Sequence, residues 1–162
     1  MSMIGCFLSL TAFELEELIA DPSGVADFVF PDEEENEASI DVDKAWHGIH
    51  FLLAGDAWGG SPPLADVVLG GTEIGEDIGY GPARYLTPAE TKAAADAIAA
   101  ISPDDFRARY DAAALTKHEI YPGIWEDPED EALEYLAEYF ESIREYFAES
   151  AARGDAMLKY IS

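Results

Sequence analysis

His47 and His50 stand three residues apart in Asp43-Lys44-Ala45-Trp46-His47-Gly48-Ile49-His50, a spacing that makes the two imidazoles neighbours on a helix. Imidazoles so placed could share a metal ion or pass a proton. Two histidines are half of a tetrahedral zinc site, however, and the flanking sequence supplies no third or fourth ligand. His50 shares its helical face with Trp46, Ile49 and Leu53, so the expected role is a hydrogen-bonded core histidine, and no metal or cofactor is assigned.

The other group with chemical potential is built around Arg84, the first arginine in the chain, within Gly79-Tyr80-Gly81-Pro82-Ala83-Arg84-Tyr85. A guanidinium offers a rigid fork of donors suited to a carboxylate or a phosphate. The first expectation is an arginine tied to a nearby acid, Glu76 or Asp77. The second is an anion clamp, in which glycines let backbone N–H groups reach a ligand while Arg84 supplies charge. Neither the dinucleotide nor the P-loop glycine spacing is present. Trp46, His47, His50, Tyr80 and Arg84 are therefore the candidate ligand-binding residues. Catalysis has no positive signature, since the chain contains neither a Gly-x-Ser-x-Gly elbow nor a His-Glu-x-x-His helix.

Charge narrows the partners. The 162 residues carry 34 Asp and Glu against 9 Lys and Arg, a formal net charge of -25, and Lys44 is the only basic side chain before Arg84. Phosphate polymers and anionic membranes are repelled by such a surface, so nucleic-acid and membrane binding are excluded as expectations. A basic protein is the partner it would attract, as an immunity-like protein attracts a basic toxin. The candidate docking face lies on the last long helix, where Glu134, Glu138, Glu141 and Glu145 run beside Tyr135, Tyr139 and Tyr146. Like-charged pairs four apart cost roughly 0.2 to 0.5 kcal/mol each, little enough for this face to persist as a merely solvated one.

These residues need elements to hold them. Met3 to Leu10 is apolar on both faces and predicts a well-covered strand. Thr11 and Glu14 have capping-box spacing and open a helix whose apolar face is expected from Phe13, Leu15, Leu18 and Ile19. A short apolar piece, 25–30, precedes the acidic stretch 31–43, expected to be a solvated loop. An aspartate at 41 or 43 should cap the histidine helix, which stops at Gly55. The glycine-punctuated stretch 70–82 predicts positive backbone φ, and 83–86 predicts a short strand. Thr87-Pro88-Ala89-Glu90 and Ser102-Pro103-Asp104-Asp105 are helix starts. The longest helix is expected from about Pro128 to Arg153, with Leu133, Leu136, Phe140, Ile143 and Phe147 as its buried stripe, followed by a strand over 156–161.

The single cysteine, Cys6, cannot form an internal disulfide and alternates with Ile4 and Leu8, which fits a small buried hydrophobe in a reducing, cytoplasmic setting. No apolar run approaches the length of a membrane span. The expected fold is α+β (α/β): one domain over 1–162, a small mixed sheet packed with several helices, closed by the long C-terminal helix and a final strand.

Met3-Ile4-Gly5, the 43–50 segment, Gly75-Glu76-Asp77-Ile78-Gly79-Tyr80-Gly81-Pro82-Ala83-Arg84-Tyr85-Leu86, Tyr121-Pro122-Gly123-Ile124-Trp125 and Arg153-Gly154-Asp155 together resemble the YfbM-like family, a bacterial domain of unknown function. The resemblance implies an α/β fold with a small sheet and several helices. It implies no established activity, cofactor or site residue.

Overall fold

The computed structural model describes residues 2–126 and 131–162. Among these residues five strands form one sheet: β1 (Gly5–Leu10), β2 (Ile40–Asp41), β3 (Thr72–Asp77), β4 (Pro82–Leu86) and β5 (Ala156–Ile161), in the spatial order β2-β1-β5-β4-β3. Every ladder is antiparallel, which corrects the expected mixed sheet. The helices between β4 and β5 return the chain to the end of the sheet it left, so β5 must run against β4.

Both faces are covered, as the doubly apolar pattern of β1 requires. On one side α1 (Ala12–Ala20) and α2 (Val25–Val29) press Leu15, Leu18, Val25 and Val29 against Cys6, Leu8, Leu158 and Tyr160. On the other lie α3 (Trp46–Ala54), α4 (Pro88–Ala99), α5 (Pro103–Ala108), α6 (Ala112–Lys117) and α7 (Glu131–Ala152), which close a larger core over Phe7, Leu86 and Met157. Within it Phe106 stacks on Phe140 at 4.0 Å, and Phe7 meets Phe147 edge-on at 5.9 Å.

Local sequence signals explain most boundaries. Thr11 with Glu14, and Thr87 with Glu90, form complete capping boxes, each threonine hydroxyl accepting the N3 amide while the glutamate accepts the threonine amide. Gly55 and Gly154 end α3 and α7 in the left-handed conformation, at φ 73° and 74°. The expected start of α7 at Pro128 lies outside the described residues. Leu136, Phe140, Ile143 and Phe147 form its buried stripe as expected, with Leu133 partly buried at the margin.

Three expectations fail locally. Phe13 and Ile19 are 67% and 47% exposed, because α1 presents only Leu15 and Leu18 to the sheet and Phe13 lies on the opposite side of the helix. The acidic 31–43 stretch is not all loop: Ile40 and Asp41 add a two-residue edge strand to β1. No aspartate caps α3, which grows directly out of a 3-10 turn, Asp43–Ala45, while Asp41 Oδ1 accepts the amide of Asp43.

Candidate functional site

Strand alternation places one residue from each strand in a single row across the face that α3 to α7 cover. Ile40 pairs with Phe7, Phe7 with Lys159, Lys159 with Arg84 and Arg84 with Glu73. Two cations therefore stand side by side in the middle of the sheet. Lys159 is 3% exposed, and its ammonium donates to the carbonyls of Asp66, the last residue of the 3-10 turn Leu64–Asp66, and of Gly70 beyond it. Burial is the main force on this amine, lowering its pKa to about 7. The nearby Arg84 charge acts in the same direction, while Asp66 and Glu90 oppose it without reaching ion-pair distance.

Arg84 is half-buried, and among the described residues no hydrogen bond or ion pair engages its guanidinium. The expected tie to Glu76 or Asp77 is absent. Asp77 turns instead into its own loop, where Oδ1 accepts the amides of Gly79 at 2.8 Å and Gly81 at 3.2 Å. That contact uses up the loop amides an anion clamp would have recruited, so any anion here must be held by side chains. Arg84, Lys159 and the 39%-exposed Tyr80 border a crevice of about 10 Å³, backed by Gly5, Phe7 and Leu69. Its interior has room for about one water-sized group.

The other three candidates lie elsewhere on α3. Trp46 donates its indole N–H to the Met3 carbonyl at 2.8 Å and stacks on Tyr121 at 5.7 Å. Its Cβ sits where a side chain at position 5 would project, so Gly5 is what lets α3 approach β1. His47 accepts the Tyr121 amide at Nδ1, 2.9 Å, and therefore donates Nε2–H to the Ala57 carbonyl at 2.8 Å. The exposed Trp58 ring covers it at 4.3 Å. His50 contacts the Gly59 carbonyl through Nε2 at 2.9 Å, and its buried Nδ1 has no hydrogen-bond partner among the described residues. Desolvation is the main cause holding both imidazoles below their ordinary pKa, His50 at about 4. These histidines pin the 56–60 loop to α3 as neutral hydrogen-bonding groups. The structure thus joins Tyr80 to Arg84 and leaves Trp46, His47 and His50 outside the crevice, with His50 close enough to Lys159 for the two charges to oppose one another. Among the described residues no group of three or more His, Cys, Asp or Glu could hold a metal ion.

Lys159 is the residue the sequence-based assignment omits. Its signal is a lone lysine inside the otherwise apolar Ala156-Met157-Leu158-Lys159-Tyr160-Ile161. A charged side chain in the middle of a strand predicted to be central has to be paired, functional, or both.

On α7 the candidate docking residues divide. Tyr135 donates to Asp43 Oδ2 at 2.6 Å and accepts the Lys44 amide at 2.9 Å, and Tyr139 packs edge-on against its ring. Tyr146 accepts the Ser9 amide and donates to the Ala38 carbonyl at 2.7 Å. Glu134 and Glu141 are paired with Arg107 and Arg144. Glu138 and Glu145 remain exposed with no ion pair among the described residues.

Residues 1–160 match the family described as Domain of unknown function (DUF1877). The chain belongs to this family. It is also similar to a solved structure described as a protein of unknown function, YfbM from Escherichia coli, with a TM-score of 0.77 and 22% identity over 98% of this chain and 99% of that one. At that identity the likeness shows the fold, α+β. No curated protein matches the chain. Among the described residues no helix is long and apolar enough to cross a membrane.

Proposed function

We propose that this chain is a cytoplasmic, non-enzymatic binding protein whose site is the crevice bordered by Arg84, Lys159 and Tyr80, and whose ligand presents a small oxyanion. One observation carries the reading. In a chain with a net charge of -25, two adjacent cations both lack a carboxylate partner among the described residues. An arginine and a lysine lining one half-enclosed space suit a carboxylate, sulfate or phosphate group. The volume of about 10 Å³ admits one oxygen of that group and leaves the remainder of the ligand outside. Titration calorimetry with sulfate, phosphate and acetate at low ionic strength and pH 6 tests it. Saturable 1:1 binding that Arg84→Ala abolishes, with the melting temperature retained, is expected. Absence of saturable binding to the wild type refutes the site.

A second reading concerns the surface. Glu138, Glu145 and Glu149 recur on one stripe of α7, exposed and without a cation among the described residues, whereas the flanking Glu134 and Glu141 are neutralised. This stripe supports docking of a basic protein through charge, since the Tyr135 and Tyr146 hydroxyls beside it are spent on internal hydrogen bonds. Such a complex weakens steeply as salt rises. A partner captured equally well in 50 mM and 500 mM salt would exclude this stripe as its site.

A further inference from the structure

We propose that the crevice takes up its anion together with one proton, which is bound at Lys159 Nζ. The inference rests on the anion-site reading above and specifies how that site is regulated.

The geometry sets the charge balance. Lys159 is fixed in the central strand with Phe7 on one side and Arg84 on the other, and its head reaches the Asp66 and Gly70 carbonyls. Neutral amine and ammonium can both donate to those oxygens, so the hydrogen bonds hold the group in place in either state. The charges around it act in both directions. From β4 the Arg84 cation opposes the ammonium; from the 3-10 turn and α4 the Asp66 and Glu90 carboxylates favour it at a distance; from α3 His50 is neutral above pH 5; from β1 Phe7 contributes no charge. Desolvation then decides, and Lys159 is partly neutral near pH 7.

An anion in the crevice adds to the side that favours the ammonium. It places negative charge against Lys159 and Arg84, which both line the crevice, and so joins Asp66 and Glu90 in opposing the arginine's effect. The ammonium becomes the favoured form and a proton is drawn from solvent. Above the pKa of the free protein, affinity must then fall about tenfold for each pH unit, since only the protonated site pairs with the ligand. Below it, affinity levels off. A chain this acidic would so bind a metabolite oxyanion in mildly acidic conditions and release it in mildly alkaline ones.

Sulfate is the probe, because its own charge does not change over this range. Calorimetric titration of the full chain at pH 6.0 and pH 8.5, each in two buffers of different ionisation enthalpy, gives the number of protons taken up. Near zero at pH 6.0 and about one at pH 8.5 is expected, with affinity lower by more than tenfold at pH 8.5. Equal affinity at both values with no proton uptake overturns the proton link while leaving the anion site standing. Failure to bind at pH 6.0, where both cations are charged, overturns the site and the link together. The measurements use wild-type protein throughout, so neither outcome depends on whether a Lys159 variant folds.

Discussion

Lys159 and Arg84 face each other directly across the β4–β5 ladder, both on the side of the sheet that α3 to α7 cover. Like charges in that relationship destabilise a pair of strands, and here one of them is also removed from water. The first prediction concerns stability and pH. The folded-state pKa of Lys159, about 7, lies below its ordinary value of 10.5, so between these values the unfolded chain binds more protons than the folded one. Stability contributed by this group is therefore lowest below pH 7 and rises as pH increases towards 10, by about 1.4 kcal/mol per pH unit at the steepest. The Cys6 thiol, which burial raises from 9.0 to about 11, opposes the trend from about pH 9, and Tyr135, Tyr146 and Tyr160, all raised by burial, oppose it above pH 10. Urea midpoints at pH 7, 8 and 9 should climb for the wild type and stay level for Lys159→Met. A wild-type profile without slope would mean the ammonium is stabilised in the fold.

The histidines predict a loss on the acid side. His47 and His50 both titrate below 6.5 in the fold, so the unfolded chain again binds more protons, this time from pH 6.5 downward. Their contribution is complete above 6.5 and is lost as pH falls through the folded values, again by up to about 1.4 kcal/mol per pH unit for each group. Protonating His47 would also set an N–H against the Tyr121 amide that Nδ1 now accepts. Unfolding free energy measured at pH 6.5 and 5.0 should drop for the wild type and drop less for His50→Gln. Equal drops would shift the cause to groups other than His50.

How much of this was legible beforehand follows from the kind of signal each part carries. Threonine with glutamate three residues on is a local pattern with a local consequence, and both capping boxes formed where the spacing put them. The buried stripe of α7 was equally plain in its period. Strand β3 was hidden, because Gly75 sits at φ 78° within it and the ladder shifts register between Ile74 and Asp77, which removes the alternation that would mark a strand. The site was half visible. Arg84 and Tyr80 are near in sequence and stayed together, whereas Lys159 joins them only through a strand pairing over seventy positions away. Trp46, His47 and His50 carry types that suggest chemistry, and the packing of α3 consumes them, Trp46 against β1 and Tyr121 and the histidines against the 56–60 loop.

Tyr135 supplies a test of whether the α7 tyrosines are structural. Its hydroxyl donates to Asp43 and accepts the Lys44 amide, so Tyr135→Phe leaves a partly buried N–H and a carboxylate without that partner. A cost of about 1 to 3 kcal/mol is expected. Glu138→Gln, an exposed change on the same helix, should stay within about 0.5 kcal/mol. Comparable thermal shifts for the two variants would remove the hydroxyl from the account of stability and return Tyr135 to the docking surface.

Gly5 tests the contact on which the placement of α3 depends. A methyl group there would stand 2.6 Å from Trp46 Cβ and 2.9 Å from Cγ, distances that real side chains do not tolerate. Gly5 lies in β1 and Trp46 opens α3, so relief requires shifting one element against the other, and the Met3 carbonyl bond to the indole goes with it. Gly5→Ala should cost about 1 to 3 kcal/mol, as overpacking of a core does. The offending atoms include Cβ, which every residue but glycine possesses, so Trp46→Phe in the Gly5→Ala background should restore nothing. Gly81→Ala is the matched control: it carries the penalty of a positive φ of 100° with open space around it. Chemical denaturation of the three proteins separates the cases. Recovery in the double variant would show that the indole ring, and not the approach of strand to helix, sets the limit at position 5.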